Sequence, residues 1–248
     1  MRLVALLLVV ATAACTDRRE APAARVAAPP VAPAPPRPTF ATADPATAQQ
    51  APVIRADAVG ATAAPTVRPL TKDVLLVGEV RADLAAARVE VPARLALDTG
   101  ILEFALVTTT GKAYESALVT DVRPFDVQLA LLLAGFAPGE TVRLRVRREG
   151  GTEEQPLAAL FRDRASGQPA ADDVWRFVGG AVDKGRFLAD FTGTIATLVP
   201  ESSAVLVAAT ERGNPYRGKE GFELATPLPV ARGSKVTLVI THEEPRTR

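Results

Sequence analysis

Apolar and polar residues alternate in several segments of the chain, and this period of two is typical of β-strands with one face in the core. In RVEVPARL, residues 88–95, valines alternate with Arg88 and Glu90 until Pro92 interrupts the run. In TVRLRVRR, residues 141–148, arginines alternate with aliphatic residues. We therefore predict a half-buried strand with a solvated arginine face at 141–148, and an edge or bulged strand at Pro92.

Other apolar runs extend this β-rich pattern. DVLLVGEV at 73–80 predicts a first strand, ILEFALVTT at 101–109 a later one, and KVTLVIT at 235–241 the last. Between residues 172 and 199 the pattern predicts strands and a glycine-rich turn, with the tightest bend at Asp183, Lys184 and Gly185. Trp175 in this region is expected to pack in the core, and Tyr216 in a loop.

One segment has the pattern of a helix. In PFDVQLALLLAGF, residues 124–136, Pro124 suits the first helical position and Gly135 ends the run. Phe125, Leu129, Leu132 and Phe136 form one apolar face, and Val127, Leu131 and Leu133 fill much of the remainder. A helix that is apolar on most sides is buried. The predicted fold class is therefore α+β, mostly antiparallel β-sheet with one buried helix at about 124–136.

The segment RLALDTGILEF, residues 94–104, contains an Asp-Thr-Gly triplet like that of aspartic proteases. A protease of that type needs two carboxylates that share a proton, and no counterpart motif occurs at a suitable spacing. Asp98, Thr99 and Gly100 lie between two strand-like runs, where a short Asp/Gly connection is usual for a hairpin turn. We interpret the triplet as a turn and expect positive φ at Gly100.

The N-terminus has the pattern of an export signal. Arg2 precedes an unbroken apolar run from Leu3 to Ala14, which is too short to span a bilayer. Small residues stand directly before Cys15, as in the lipobox of bacterial lipoproteins, so we predict a signal peptide at 1–14 and lipidation of Cys15. The alternative is ordinary cleavage after Ala13 and a soluble periplasmic or secreted protein.

Residues 15–72 form a segment rich in alanine and proline, which holds eleven of the chain's 21 prolines. It has almost no aromatic residues and no apolar periodicity, so we predict a disordered tether from the lipid-anchor Cys15 to a domain at 73–248. Thr16 rather than Asp follows Cys15, which by resemblance to lipoproteins of two-membrane bacteria favours the outer membrane, with the domain facing the periplasm.

Composition excludes several chemistries. The only cysteine is Cys15, so the domain has no intrachain disulfide and no multi-thiolate metal site, and the only histidine, His242, excludes a multi-histidine site. We predict neither a metal nor another cofactor. Without Arg2 the chain has 28 basic and 28 acidic residues, which gives no support for binding nucleic acid. The sharper interpretation of Arg143, Arg145 and Arg147 is an anion-binding stripe, and the plainer one is a solvated strand face.

Three segments carry a resemblance to a known family. The run RVEVPARLALDTGILEFALVTTTGKAYESALVTDVRPFDVQLALLLAGF, the later VWRFVGGAVDKGRFLADFTGTI and the closing LPVARGSKVTLVI resemble the YdjY-like family of exported bacterial proteins. The resemblance covers nearly the whole domain but neither the signal nor the tether. It implies no activity, substrate or catalytic residue, because none is established for that family.

We expect a non-catalytic envelope lipoprotein that binds another envelope component. Polar side chains beside the N-terminus of the predicted helix form the candidate binding patch, namely Tyr114, Glu115, Ser116, Thr120, Asp121 and Arg123. The plainer interpretation is that Glu115 and Arg123 form an ion pair and that Ser116 is a strand-face hydroxyl.

The alternative function is a carboxylate-dependent hydrolase. There is no G-x-S-x-G motif, and His242 lies near a C-terminus that we expect to fray, so a Ser-His-Asp triad is not predicted. Two carboxylates within about 5 to 10 Å of each other in one cleft would support this alternative. The candidates are Asp98, Glu103, Glu115, Asp121, Asp183 and Asp190.

Overall fold

Strands dominate the molecule, as the alternating patterns predict. The structure is a computed structural model, and it describes residues 64–171, 174–209, 218–226, 228 and 231–243. The strands in these ranges are β1 (Val67–Pro69), β2 (Val74–Val77), β3 (Val80–Asp83), β4 (Arg88–Leu95), β5 (Ile101–Leu102), β6 (Phe104–Thr108), β7 (Ser116–Thr120), β8 (Thr141–Arg148), β9 (Glu154–Pro156), β10 (Phe161–Asp163), β11 (Trp175–Phe177), β12 (Val182–Asp183), β13 (Arg186–Phe187), β14 (Thr194–Thr197), β15 (Leu206–Ala208), β16 (Phe222–Leu224) and β17 (Lys235–His242). The helices are α1 (Pro124–Leu133) and α2 (Leu188–Thr192).

Several predictions fall on residues that the structure does not describe. The signal peptide at 1–14, the lipid anchor at Cys15, most of the tether and Tyr216 lie outside the described ranges. Strand β1, however, lies inside the predicted tether and pairs antiparallel with β2. The folded domain therefore begins no later than Val67, before the predicted boundary at residue 73.

Eight strands close into a barrel in the order β4-β17-β8-β11-β15-β14-β6-β7, and β7 pairs back onto β4. A barrel of eight strands has an interior just wide enough for side chains to fill. Val91, Leu144, Leu238 and Trp175 belong to its continuous apolar core, as expected for Trp175. The predominance of strands is confirmed, and the sheet is closed rather than open.

Two neighbouring pairs in the barrel are parallel, β6 with β7 and β14 with β15. Parallel strands usually need a crossover of a dozen or more residues, yet residues 109–115 alone connect β6 to β7. Every residue of β6, β7 and β14 is buried, and we call these three the buried strands. Helices α1 and α2 both contact β14, so the buried strands have neighbours outside the barrel wall.

The remaining strands add to the barrel or lie beside it. Strands β1, β2 and β3 form an antiparallel extension from β4, and β9 pairs with β8. Strands β10, β16 and β5 form a separate three-stranded sheet. Strands β12 and β13 form a hairpin around Lys184 and Gly185, at the predicted bend. The helix α2 directly after β13 is a feature that the sequence pattern did not predict.

Strand β4 is a central strand, and the edge-strand prediction from Pro92 is wrong. One side of β4 pairs with β17 along Arg88–Arg94, straight through Pro92. Its other side pairs with β3 at 88–90 and with β7 only from Arg94 onward. Proline has no N–H to donate, and the sheet accommodates it where β4 changes neighbours. Thr120 Oγ1 donates a hydrogen bond to the Pro92 carbonyl oxygen at 2.6 Å.

Helix α1 forms where the sequence predicts it, but it ends at Leu133 and is buried on one side only. The buried residues include Val127, Ala130 and Leu131, while Leu132 and Leu133 are 43% and 40% exposed. The predicted apolar face of Phe125, Leu129, Leu132 and Phe136 is only partly buried, since Phe136 is buried, Phe125 and Leu129 are half-buried and Leu132 is exposed. In an almost uniformly apolar helix, the sequence has no polar and apolar period that indicates which side is buried. The contacts of α1 with β2, β3, β4 and β14 determine its buried side.

The Asp-Thr-Gly triplet lies in an exposed bend between β4 and β5. It is not a hairpin, because β4 pairs with β17 while β5 pairs with β16 of the separate sheet. The chain leaves the barrel here. The expected positive φ at Gly100 is confirmed at 136°, a region that side chains other than glycine rarely adopt.

Candidate binding groove on the charged face of the barrel

The outward side chains of β4, β17 and β8 form one surface, which we call the charged face. Burial alternates along β4 and β8, so Arg88, Glu90, Arg145 and Arg147 point away from the apolar core. The predicted strand at 141–148 with an arginine face is therefore confirmed. These arginines are half-buried rather than fully solvated, since their aliphatic stems lie along the sheet.

Two carboxylates bridge two arginines at the centre of the charged face. Glu90 Oε1 accepts hydrogen bonds from Arg88 Nε at 2.9 Å and from Arg147 Nη1 at 3.2 Å. Glu154 contacts Arg88 closely and accepts from Arg147 Nη1 at 3.3 Å. Burial alone would raise the pKa of Glu90, but the hydrogen bonds from Arg147 and Arg88 hold that pKa below its usual range. The hydrogen bond from Arg88 likewise lowers the pKa of Glu154.

A groove of about 850 Å³ lies beside this network. Its middle is formed by Pro92 of β4 and Thr237 of β17, which are paired neighbours. Glu79, Thr120 and Asp121 line it on one side, from the β2–β3 turn and the end of β7. Residues 147–152, from the end of β8 and the following turn, line the other side. The volume falls within the range of about 300–1,000 Å³ that is usual for ligand sites.

The local pairing of β4 explains why the groove lies here. Strand β3 leaves β4 after Glu90, and β7 joins it only at Arg94. The two neighbours diverge from the same edge of β4 around Pro92, and the surface between them is open. Thr120 holds the end of β7 in place, since its hydroxyl donates to the Pro92 carbonyl and accepts from the Val122 amide.

Charged groups around the groove are paired to different extents. Arg94 Nη1 lies 2.8 Å from Asp121 Oδ2, and the hydrogen bond from Arg94 lowers the pKa of Asp121. Lys235 Nζ lies 3.4 Å from Glu149 Oε1 in a highly exposed pair. Among the described residues, Arg148 and Glu79 have no ion-pair partner, and both are exposed.

The structure divides the predicted binding patch. Thr120 and Asp121 line the groove, but Tyr114 and Glu115 lie at the opposite end of β7, about 16 Å away for five strand residues. Ser116 is fully buried and donates to the Leu118 carbonyl oxygen, as a structural hydroxyl does. The six residues therefore do not form one surface, because they are spread along β7 from one end of the strand to the other.

The ion pairs at Glu115 and Arg123 also differ from the plainer expectation. Arg123, the residue before α1, has its Nη2 2.6 Å from Asp126 Oδ1 in the first turn of the helix, and Lys112 Nζ lies 3.9 Å from Glu115 Oε2. A side chain three residues away on the same turn is the nearer partner in both cases. Arg123 thus belongs to the helix terminus rather than to a binding surface.

Two of the six candidate carboxylates come together. The Glu103 amide donates to the Glu115 carbonyl oxygen at 3.0 Å, and Lys112 Nζ lies 3.7 Å from Glu103 Oε2 and 3.9 Å from Glu115 Oε2. Burial and the neighbouring Glu115 charge raise the pKa of Glu103, while Lys112 opposes this rise. Neither glutamate lines the groove. This carboxyl pair is the arrangement that would support acid–base chemistry among the six candidates.

The other candidate carboxylates are separate. Asp98 and Asp183 are exposed in a bend and a hairpin, and Asp121 is bound to Arg94. Asp190 of α2 accepts a hydrogen bond from the Phe125 amide at 2.8 Å and so caps the first turn of α1. Burial raises the pKa of Asp190 despite this hydrogen bond.

The expectation that His242 lies in a frayed C-terminus is wrong. It is the last residue of β17, and its ring stacks on Phe136 with 4.0 Å between centroids. Its Nδ1 lies 3.5 Å from Glu140 Oε2. Strand β17 lies between β4 and β8 in the barrel wall. Its pairing with β8 extends to His242 and holds this residue in the sheet.

Sequence reasoning missed the groove residues Glu79, Arg94, Arg148 and Lys235. A weak signal was present, since Pro92 inside a strand marks a local break in the ladder of hydrogen bonds. Across the described ranges, no helix is long and apolar enough to cross a membrane. In the same ranges no three His, Cys, Asp or Glu side chains converge as a metal site would require.

Comparison with known proteins adds no relative. No family model, curated protein or solved structure matches this chain. The resemblance to the YdjY-like family therefore stays a prediction from sequence, and the function has to be argued from the barrel, its groove and the N-terminal pattern.

Proposed function

We propose that this protein is a cell-envelope lipoprotein whose barrel domain binds another envelope component through the groove beside Pro92. The single observation that carries this proposal is the groove of about 850 Å³ on the charged face. The domain is held at the outer membrane by lipid on Cys15, faces the periplasm, and belongs to the YdjY-like family.

The groove supports binding because it combines an open shape with charged groups that are available to a partner. Its lining has both signs of charge on each side, with Arg94 and Asp121 on one and Lys235 and Glu149 on the other. Exposed ion pairs contribute only about 0–1 kcal/mol to stability, so the fold does not depend on them. Charged groups with so small a structural role are free to serve recognition.

The N-terminal sequence supports the anchor. An apolar segment and two small residues precede Cys15, and a proline-rich segment follows it. Acyl chains contribute about 0.8 kcal/mol per buried CH₂, so a multiply acylated N-terminus is a firm anchor. We expect the wild-type protein to partition into detergent and Cys15→Ala to become soluble or to retain its signal. An unmodified mature N-terminus beginning at Ala14 would contradict the anchor.

Site-specific photo-crosslinking in intact cells tests the binding function. A photoreactive amino acid at Thr237 or Thr152 places the crosslinker in the groove, and one at Val182 places it on an exposed hairpin as a matched control. We expect one envelope component to be captured from the groove positions and not from Val182. Equal capture at all three positions, or none in the groove, would overturn the proposal.

The second candidate function is a carboxylate-dependent hydrolase, and the observation that favours it is the neighbouring pair Glu103 and Glu115, which Lys112 Nζ contacts at 3.7 and 3.9 Å. Two carboxyl groups that share a proton provide an acid and a base at one place. The test is the release of soluble fragments from isolated envelopes by the purified full chain. Loss of this activity in both Glu103→Gln and Glu115→Gln, with Asp98→Asn active, supports hydrolysis, and absence of release by the wild type contradicts it.

A further inference from the structure

We infer that one surface of the domain, formed by α1, α2 and the β12–β13 hairpin, docks on a lipid bilayer and gives the domain a membrane contact besides the proposed lipid anchor. We call it the outer apolar surface, and its members are Phe125, Leu129, Leu132, Val182, Phe187 and Phe191. None of these residues lines the groove. The inference therefore goes beyond the proposed binding function, and it rests on the anchor only for bringing the domain close to a membrane.

The members of the outer apolar surface are neighbours in space. Phe125, Leu129 and Leu132 follow one another at helical spacing on the side of α1 that is not fully buried. The rings of Phe125 and Phe187 meet edge to face, with 5.6 Å between their centroids. Val182 is directly opposite Phe187 in the hairpin, so these two side chains share one face of it. The helix and the hairpin therefore form one continuous surface.

This surface is more exposed at its ends than in its middle. Phe187 is also the N-cap residue of α2, and Phe191 lies four residues later on the same side of that helix. Phe191 and Val182 are 67% and 65% exposed and Leu132 is 43% exposed, whereas Phe125 and Phe187 are half-buried. Single exposed apolar residues are common on proteins, but a contiguous group of them indicates an interaction surface.

The shape of the outer apolar surface fits a fluid bilayer. Among the described strands, β12 and β13 pair only with each other, and every residue from 182 to 186 is exposed. A hairpin of two strands is marginally stable in water, and the ring of Phe187 fixes this one to α1. The ring also lies so close to Gly180 that a β-carbon there would be 2.6 Å from it. The hairpin turn therefore projects from the domain, and a projecting apolar edge can enter the interface of a bilayer without a complementary pocket.

The charges of the hairpin complement an anionic membrane. Lys184 and Arg186 are exposed, and neither has an ion-pair partner in the part of the chain that the structure describes. Asp183 lies opposite Arg186, so two cations against one carboxylate leave an excess of one positive charge. Asp190 of α2 adds no carboxylate to this surface, because it is turned toward the Phe125 amide. Cationic side chains beside apolar ones bind lipid phosphates while the apolar side chains enter the bilayer.

The predicted tether joins the domain beside the outer apolar surface. The Thr66 carbonyl oxygen accepts a hydrogen bond from the Gly78 amide at 2.8 Å. Gly78 in turn lies against the first turn of α1, since a β-carbon there would be 2.7 Å from Asp126 Oδ2. The chain that leads back to Cys15 therefore meets the domain next to α1. An anchor on that chain raises the local concentration of the domain at the membrane, so a weak apolar contact is sufficient for docking.

The test measures contact between single positions of the purified full chain and lipid. An environment-sensitive fluorescent amino acid replaces Val182 in the outer apolar surface or, as a control, Thr152 in the exposed turn after β8. The chain is bound to vesicles of phosphatidylcholine and phosphatidylglycerol in equal amounts, which carry a spin-labelled lipid as quencher. We expect quenching at Val182 to be at least about threefold stronger than at Thr152, because only the outer apolar surface enters the bilayer. Equal quenching at both positions, or quenching at neither, would overturn the inference.

Two variants test which side chains make the contact. Phe191→Glu and Leu132→Glu each place a charge on the outer apolar surface and should reduce quenching of the label at Val182 about threefold or more. Tyr114→Glu is the matched control, since Tyr114 is an aromatic residue with almost the same exposure as Phe191, 68%, and lies at the end of β7 far from α1. It should change the quenching by less than about 1.5-fold.

Urea unfolding of each variant checks that it is folded, which the exposure of the three side chains leads us to expect. Equal loss of quenching in Phe191→Glu and Tyr114→Glu would show a general charge effect and overturn the inference. Unchanged quenching in both Phe191→Glu and Leu132→Glu would also overturn it. A second copy of the chain on this surface would shield the label at Val182 as protein concentration rises without vesicles, and that result would overturn it as well.

The inference and the proposed function fail in different ways. If Cys15 carries no lipid but vesicles quench the label at Val182, the bilayer contact stands and the proposed anchor is wrong. If Cys15 carries lipid and the label at Val182 is not quenched, the anchor stands and the inference is wrong. Crosslinking from the groove tests the groove alone, because no member of the outer apolar surface lines it.

Discussion

The charged face and the buried strands belong to one barrel, yet they differ in how much of each strand is exposed to water. Along β4 and β8, burial alternates and one side of each strand meets water. Along β6, β7 and β14, no residue is exposed. Both regions are strands of the same barrel wall, so the difference in burial comes from what covers the outer side of that wall.

Because of this difference in burial, we expect the buried strands to contribute most to stability and the charged face to provide the surface for binding. The buried strands have apolar neighbours on both sides, and each buried aliphatic side chain contributes about 1.5–3 kcal/mol. The outer side of the charged face contributes less, because solvent screens its ion pairs. The region that contributes less to folding is also the region with open surface, and the groove lies there.

The largest contrast is expected from truncating one side chain in each region. Leu106→Ala in β6 removes a fully buried side chain, and the resulting cavity should lower the free energy of unfolding by about 2–5 kcal/mol. Thr237→Ala on the charged face should lower it by less than about 1 kcal/mol. Urea unfolding of the two variants measures both values. Similar losses would show that the outer side of the charged face is as important for stability as the buried strands.

A smaller effect is expected where the two regions meet at Thr120. Thr120→Val keeps the shape but removes the hydroxyl that binds the Pro92 carbonyl and the Val122 amide. Leaving these groups without a partner should cost about 1–3 kcal/mol. Thr241→Val, on the half-buried end of β17, should change stability by less than about 0.5 kcal/mol. Equal unfolding midpoints for the two variants would contradict the structural role of the Thr120 hydroxyl.

The next effect depends on pH and tests the arginine network. Glu90→Gln removes the charge that Arg88 and Arg147 share and should cost about 1–2 kcal/mol at neutral pH. The pKa of Glu90 is lowered in the fold, so its stabilisation is present above the ordinary value of about 4.5 and is lost as pH falls through the folded pKa. Unfolding curves of wild type and variant should therefore converge in acid. Glu149→Gln, in an exposed pair, should change the free energy of unfolding by less than about 0.5 kcal/mol at neutral pH.

The smallest effect has the opposite sign and concerns the carboxyl pair beside the buried strands. The pKa of Glu103 is raised by burial and by Glu115, so the charged form is unfavourable in the fold. This penalty is absent below the ordinary pKa of about 4.5 and grows as pH rises through the folded pKa. Glu103→Gln should slightly raise the melting temperature at neutral pH but not at pH 4, and Asp98→Asn should have no effect. A lower melting temperature for Glu103→Gln at neutral pH would contradict this account.

Prediction from the sequence succeeded for the charged face and was weaker for the buried strands. The arginine strand at 141–148 was predicted correctly, because water on one side imposes a period of two. The Asp-Thr-Gly segment was predicted as a hairpin but is a bend, because turn residues do not specify which strands pair. Ser116 was assigned to a binding surface, yet it is fully buried, because the residues of a strand covered on both sides do not alternate between apolar and polar in a way that would indicate burial.

The sequence by itself determined the predominance of strands, the position of α1 and the positive φ at Gly100, because these depend on local patterns and on backbone sterics. Only the tertiary structure decided that the sheet closes into a barrel, which side of α1 is buried, and where the groove lies. Those features arise from pairing between distant segments, such as β4 with β17, and no local pattern specifies the partner of a strand. The groove beside Pro92 exists because β3 and β7 share one edge of β4.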